Sequence, residues 1–304
     1  MDKETLSNYG WIVICVLVLA VMLALATPFG TFVADAIKST TQGLFDVNQN
    51  ALNSTGLINI DGQTFGEGGN GGAGNGGSGD QGGSNTLPEA GKTAEEYTWV
   101  EIKAISEVGK GDEYFNLGDT KTFTTTNGIE VVMEIVAFNA DTKADGTGTA
   151  GITWLSKGVV TTHSMNDTST NTDGWDVSAM NAWMQSDLYG TLPTDVKTSI
   201  VKVNKTYYDY TSKSTKTCEN NIWIPSYREM FGVTPLEDSG PSYTEYFTNN
   251  NSRIKYNSNG STTYWWLRSS SGDNASVFHS VSYKGESNIG YANSAYGVVL
   301  GFCT

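Results

Sequence analysis

Arginine is almost missing from this chain: there are three in 304 residues, Arg228, Arg253 and Arg268. Lysine and arginine together number 18 against 32 acidic residues, for a formal charge of -14. Such a chain lacks the cationic surface that a phosphate backbone requires, which excludes nucleic acid as a partner. Histidine occurs only at 163 and 279, and cysteine only at 15, 218 and 303. No C-x-x-C and no zinc spacing can be assembled from them. Gly-x-Ser-x-Gly, His-Glu-x-x-His and a phosphate loop are also absent, so a non-enzymatic protein is expected, with no catalytic residues, no metal and no cofactor. Asp141 and Asp145, with neighbouring Thr and Gly, lack the EF-hand spacing and read as a surface turn rather than a calcium loop. Cys15 reads as a packing residue. Whether Cys218 and Cys303 form a disulfide in an exported domain stays open.

Charge is absent altogether from residues 5–34. Within that stretch, residues 11–26 (WIVICVLVLAVMLALA) form an apolar run of about 24 Å as a helix. Continued from Trp11 to Val33, it becomes long enough to cross a bilayer. Ala24-Leu25-Ala26 is a candidate signal-peptidase site, but the preceding MDKETLSNYG lacks a basic n-region, and a retained anchor is the preferred reading. Phe29, Phe32, Val33, Ala36, Ile37, Leu44, Phe45 and Val47 then recur largely at three- and four-residue spacing, an amphipathic continuation beyond Pro28. Residues 1–55 are therefore expected to be one apolar-then-amphipathic helix. Residues 56–94 form a linker, with eleven glycines in the eighteen positions 66–83, a composition that cannot build a core. Residues 95–304 are expected to be an α+β domain with long loops.

Within that domain, Val100, Ile102, Ala104 and Ile105 suggest a strand. Residues 121–126 and 129–138 read as a hairpin turning at Asn127-Gly128. Residues 152–155 suggest a short buried strand. Residues 176–189 suggest a helix capped by Asp176 or Ser178, with Met180, Trp183, Met184 and Leu188 on one face. A short helix over 194–203, a strand over 221–225 and a turn of helix over 226–231 follow. Trp265, Trp266 and Leu267 should be partly core, with Arg268 holding a carboxylate or carbonyls inside the fold. Val298, Leu300 and Phe302 alternate as in a closing strand with one face buried.

The layout of the first 55 residues resembles the N-terminal stalk of a type IV-like pilin, although the Gly-Phe-x-x-x-Glu leader site is missing. That resemblance implies a helix that anchors in the membrane or polymerises into a filament as a homo-oligomer. Residues 99–304 carry a second resemblance. Trp265-Trp266-Leu267-Arg268-Ser269, a Ser/Tyr/Asn-rich stretch and a Gly297-Val298 apolar ending close the chain. Upstream, in order, stand Gly174-Trp175 with Ser178, the Met180–Trp183 segment, Leu192-Pro193, and Ile222-Trp223-Ile224-Pro225-Ser226 with Glu229. Asn181 stands where Arg would be expected. The set is similar to the C-type-lectin-like domain in its formylglycine-generating-enzyme-like version, including the variable proteins of diversity-generating retroelements. No paired active-site cysteines are present, so the resemblance does not carry that enzyme activity. It implies instead a hypervariable ligand-binding surface near the C-terminus.

Composition points the same way: residues 265–304 hold eight Ser, three Tyr, three Asn and five Gly, types that antibody paratopes favour for adaptable contact. The same residues also suit a loop-rich β region. Between the two frames lie the candidate contact residues Ser271, Asp273, Asn274, Ser276, Phe278, His279, Ser280, Ser282, Ser287, Asn288, Tyr291, Asn293 and Ser294. Lys284-Gly285 is expected to turn a hairpin. The expectation is a cell-surface protein, anchored or in a filament, whose outer domain binds a protein or glycan. The rival readings are a structural pilin-like subunit and, more remotely, an enzyme.

Overall fold

The computed structural model describes residues 87–232 and 240–304. The expected helix over 1–55 and residues 56–86 of the expected linker lie outside the described residues. Among the described residues, no helix is long and apolar enough to cross a membrane. The compact unit begins at Leu87 rather than at residue 95. The reason is local: the Glu89 carbonyl accepts from Tyr97 Oη at 2.6 Å and the Pro88 carbonyl from Tyr114 Oη at 2.8 Å, so the end of the expected linker is tied down.

The architecture is mixed α/β and mostly sheet. The expected first strand is instead helix α1, Trp99–Glu107. Thr98 accepts from Glu101 N while Glu101 accepts from Thr98 N, a capping box that starts a helix. Trp99, Ile102, Ile105 and Ser106 are buried, a spacing near three rather than two, which is why a strand does not form. One further turn, α2 (Gly111–Tyr114), follows. Strands β1 (Thr120–Thr124) and β2 (Glu130–Phe138) form the expected hairpin, with Gly128 at φ +86° in its turn. With β3 (Ile152–Ser156) and β11 (Gly301–Cys303) they make a four-stranded sheet in the order β1-β2-β3-β11. Gly151 lets α1 sit on this sheet, since any Cβ there would collide with the Ser106 carbonyl.

The second sheet has five strands, in the order β4-β10-β7-β8-β9. They are β4 (Thr161–His163), β10 (Tyr296–Val298), β7 (Trp265–Ser270), β8 (Val277–Val281) and β9 (Ser287–Tyr291). All pairings are antiparallel except that of β10 with β7. The closing segment therefore passes from one sheet to the other. Val298 and Leu300 do not alternate with exposed neighbours: residues 297–304 are all buried. Ser156 holds the crossing point, its Oγ accepting from Leu300 N at 2.9 Å and its N–H donating to the Leu300 carbonyl at 2.7 Å.

Residues 179–191 are helical throughout, as α3 (Ala179–Trp183), a π turn (Met184–Leu188) and α4 (Tyr189–Thr191). Ser178, not Asp176, is the cap, accepting from Asn181 N. Helix α5 (Thr194–Ser199) ends before Val203, which opens a hairpin of β5 (Val203–Asp209) and β6 (Ser214–Asn220) that the sequence pattern did not reveal. Residues 221–225 are not a strand: Trp223 makes a single bridge to Gly301. Helix α6 (Tyr227–Phe231) forms where expected, with Ser226 and Glu229 as a capping box.

Trp154, Trp175, Trp223, Trp265 and Trp266 are fully buried, so the Trp265–Leu267 frame is wholly core. Among them lies a charged cluster. Arg268 donates to both oxygens of Glu229 at 2.7 Å and to the Ile224 and Thr206 carbonyls at 2.9 Å. Lys205 Nζ reaches Asp141 at 2.5 Å, Glu229 at 3.0 Å and Tyr243 Oη at 2.9 Å, and lies 3.2 Å from the centre of the Trp223 ring. The two cations and two carboxylates balance. Asp141, read from sequence as part of a surface turn, is thus an interior residue bonded to Lys205, while Asp145 is exposed. Cys218 and Cys303 are both buried and free.

Candidate functional site

The thirteen candidate contact residues do not form one patch. Strands β8 and β9 run antiparallel, with Val277 opposite Tyr291 and Val281 opposite Ser287, so the ends of the hairpin stand about 13 Å apart. Ser271, Asp273, Asn274 and Ser276 in the β7–β8 loop share one end with Tyr291, Asn293 and Ser294. Ser282 and Ser287 are at the other. His279, Ser280 and Asn288 lie between.

Burial separates them further. Asp273, Asn274, Ser287, Tyr291 and Asn293 are exposed, while Ser271, Ser276, His279, Asn288 and Ser294 are half-buried. Phe278, Ser280 and Ser282 are buried and drop out of the contact set. Their roles are internal. Phe278 is core, since it faces inward where His279 does not. Ser280 Oγ meets Asn288 Nδ2 at 3.1 Å. Ser282 Oγ accepts from Lys284 N and Glu286 N and so closes the hairpin turn. Gly285 completes that turn at φ +75°, and a Cβ there would strike the Asn250 carbonyl. His279 packs edge-on against Tyr227 at 4.9 Å, its Nδ1 has no partner, and burial pushes its pKa down.

The Ser271–Ser294 end is completed by two segments outside the candidate stretch. Asn171 is fully buried and its Nδ2 lies 3.2, 2.9 and 2.8 Å from the carbonyls of Ser271, Asn274 and Val277. Its backbone N–H donates to the Ala275 carbonyl at 2.6 Å. Asn166 joins the opposite turn: its N–H donates to the Ala292 carbonyl, and its Oδ1 accepts from Ala179 N at the start of α3. The tip of the β5–β6 hairpin also arrives here, with Lys213 Nζ 3.4 Å from the Gly272 carbonyl and Thr211 Oγ1 accepting from Asp173 N. Residues 166–173 read NDTSTNTD, a hydroxyl and amide cluster of the same kind as 269–276; that compositional match was the available signal.

The resulting face is polar and acidic. Asp167, Asp173 and Asp273 are exposed on it. The Lys213 ammonium is engaged by the Gly272 carbonyl and by the Tyr210 ring, 3.1 Å from its centre. Part of the polar inventory serves the loop itself: Ser271 Oγ accepts from Asp273 N and Asn274 N, and Asn274 Oδ1 from Ser276 N. Tyr291, Asn293 and Asp273 remain as outward groups. Such a face can accept hydrogen bonds and attract cations, and it repels phosphate. Among the described residues, no three His, Cys, Asp or Glu side chains converge as metal ligands.

Fold and site together define a mixed α/β domain, mostly sheet, of two larger sheets and the two-stranded β5–β6 hairpin, pinned by buried ion pairs and ending in a face assembled from loops. The chain belongs to the family DUF6273, a domain of unknown function, whose model matches residues 150–303, just over half of the chain. The matched region runs from β3 to β11 and contains every loop of the polar face. It omits α1, β1, β2 and Asp141, so the outer half of the four-stranded sheet and one member of the ion cluster lie outside the family match. No curated protein and no solved structure matches the chain.

Proposed function

We propose that this is a surface-displayed ligand-binding protein that recognises a protein or glycan through the polar loop face. The single observation that supports it most is the convergence of loops 166–173, 210–213, 271–276 and 291–294 on one exposed face, behind which the Trp265–Ser270 frame is buried. The head is read as C-type-lectin-like on the Trp265–Ser269 and upstream motifs, and its loop face as the place where variation is tolerated. Residues 1–55 would hold the domain at a membrane or in a filament, outside the cell, and the glycine-rich segment would give it reach. The second reading, a pilin-like structural subunit, rests on the apolar-then-amphipathic pattern of those 55 residues. Both agree if a filament displays the head.

The test is a glycan and cell-surface-protein screen with the full chain, followed by the combined variant D273A/Y291A/N293A. A ligand that the parent binds and the variant loses supports the reading. Equal binding by both would move recognition elsewhere and sink it. A near-copy of the codons for 265–304, differing at adenines and lying beside a reverse transcriptase gene, would identify the face as diversified.

A further inference from the structure

A cavity of about 250 Å³ opens between the β1–β2 hairpin, the start of β4 and the helix that carries the π turn. It is small for a ligand pocket and suits a compact guest. The bottom is apolar: Val131, Leu192 and Leu300 are buried, and Val160 and Leu188 are half-buried. Thr126 N donates to the Thr191 carbonyl at 2.8 Å, which ties the hairpin turn to the helix end and fixes the width of the opening.

Two side chains in the lining, Trp183 and Asp187, carry the chemistry. They stand four apart on one helix, where residues at that spacing are neighbours. One face of the Trp183 indole is stacked on the His163 imidazole, 4.4 Å between centres and 18° from parallel, which fixes the ring. Asp187 is exposed, and its Oδ2 accepts from Ser186 Oγ at 3.0 Å. No Lys, Arg or His lines the cavity; the remaining polar lining is Thr125, Asn127, Thr161 and Thr191. Thr125 and Thr191 are already engaged, by the Asn127 side chain and the Leu188 carbonyl. A π turn is an uncommon way to wind a helix and is frequent at functional sites. Here it lies between the indole and the helix end that closes the cavity.

We propose that this cavity binds a small organic cation, an ammonium group on a compact aryl or alkyl body. The body would fill the apolar bottom, and the charge would lie between the Trp183 ring and the Asp187 carboxylate. Aromatic faces attract ammonium groups through the ring quadrupole, more strongly as water is excluded. A carboxylate ligand would meet Asp187 and no compensating cation, while a neutral isostere would gain burial alone. The loop segments that make the polar face do not line this cavity, so the site stands or falls independently of the proposed surface recognition.

The full chain is titrated with phenethylammonium, phenethyl alcohol and hydrocinnamate, followed by calorimetry and by the Trp183 indole N–H resonance. The amine should bind roughly tenfold more tightly than the alcohol, equivalent to about 1.4 kcal/mol, with hydrocinnamate weakest, and should shift the Trp183 resonance. Because Asp187 is exposed, D187N should leave the fold intact, remove the advantage of the amine and leave alcohol binding unchanged. Equal affinity for amine and alcohol, undiminished amine binding by D187N, or no saturable amine binding to the parent would each overturn the proposal.

Discussion

Arg268 and Glu229 meet in two parallel hydrogen bonds of 2.7 Å with both side chains completely buried. Glu229 also closes the cap of α6 through Ser226 N, at 2.8 Å. One carboxylate therefore ties a β7 side chain, a helix start and Lys205 together. Removing one partner of such a pair leaves an uncompensated charge in the core, which costs about 3–5 kcal/mol. R268M and E229Q should each lose that much in urea denaturation. The double variant should lose much less than the two single losses combined, since each single change already breaks the same pair. Additive losses would mean that the two residues act separately.

The pH dependence follows from the same carboxylate. Burial raises the Glu229 pKa, but the Arg268 and Lys205 charges outweigh it and hold it down at about 2, against an ordinary 4.5. A depressed carboxylate contributes stability that is present above the unfolded value and is lost as pH falls through the folded one. The melting temperature should therefore drop between pH 4.5 and about 2. His279 adds a second, earlier step. Burial lowers its pKa from 6.5, so the unfolded chain takes up its proton first and stability declines as pH falls below 6.5. H279Q should abolish the early step and keep the late one. A flat melting profile from pH 7 to 3 would contradict both assignments.

Much of the frame was legible in the sequence, because its signals are local or chemically unusual. The Asn127-Gly128 hairpin, the cap at Ser178 and the interior role of Arg268 each depend on neighbours in sequence or on a charge amid tryptophans. Misreadings arose where tertiary packing decides. Val100, Ile102 and Ala104 alternate like a strand, yet Thr98 and Glu101 cap a helix and Gly151 lets it pack. Val298, Leu300 and Phe302 alternate, yet the chain there changes sheets and both faces are covered. Asp141 finds Lys205 across 64 residues, which no spacing rule reports. The candidate site was half legible: composition marked the 271–294 stretch, but only the register of β8 and β9 shows which of its residues share an end.

Asn171 should prove to be the residue that shapes the loop face. Its buried amide serves three carbonyls of residues 271–277, and no other described side chain donates to them. N171A would strip that donor, leaving the Val277 and Asn274 carbonyls only their backbone partners, Ser271 N at 3.2 Å and Val277 N at 3.5 Å, and losing hydrogen bonds of about 1 kcal/mol each. Hydrogen exchange should accelerate at the amides of residues 274–277 and stay unchanged in β3. N171D, with the same shape but no amide donor, should behave like N171A or worse, because a carboxylate would face three carbonyl oxygens. Full protection of the loop in N171A would show that Asn171 merely fills space.

The exposed and buried members of the 271–294 stretch should respond to substitution in opposite ways. Asp273 and Asn293 project outward from turns and Tyr291 from the end of β9, and all three are exposed. Surface changes of that kind usually shift stability by within about 0.5 kcal/mol each. D273A/Y291A/N293A should thus melt close to the parent while losing whatever ligand the parent binds. Phe278 lies between the same residues in sequence but is fully buried in the core. F278A should cost about 3–5 kcal/mol, as expected for truncating a buried aromatic, and any fraction that still folds should keep its outward groups and its binding. Trp266, equally buried and stacked on Tyr296 at 4.5 Å, should behave like Phe278. Chemical denaturation and a binding assay on the same samples decide the matter. If the triple variant unfolds as F278A does, the outward residues are part of the frame and the loop face has no spare side chains to give to recognition.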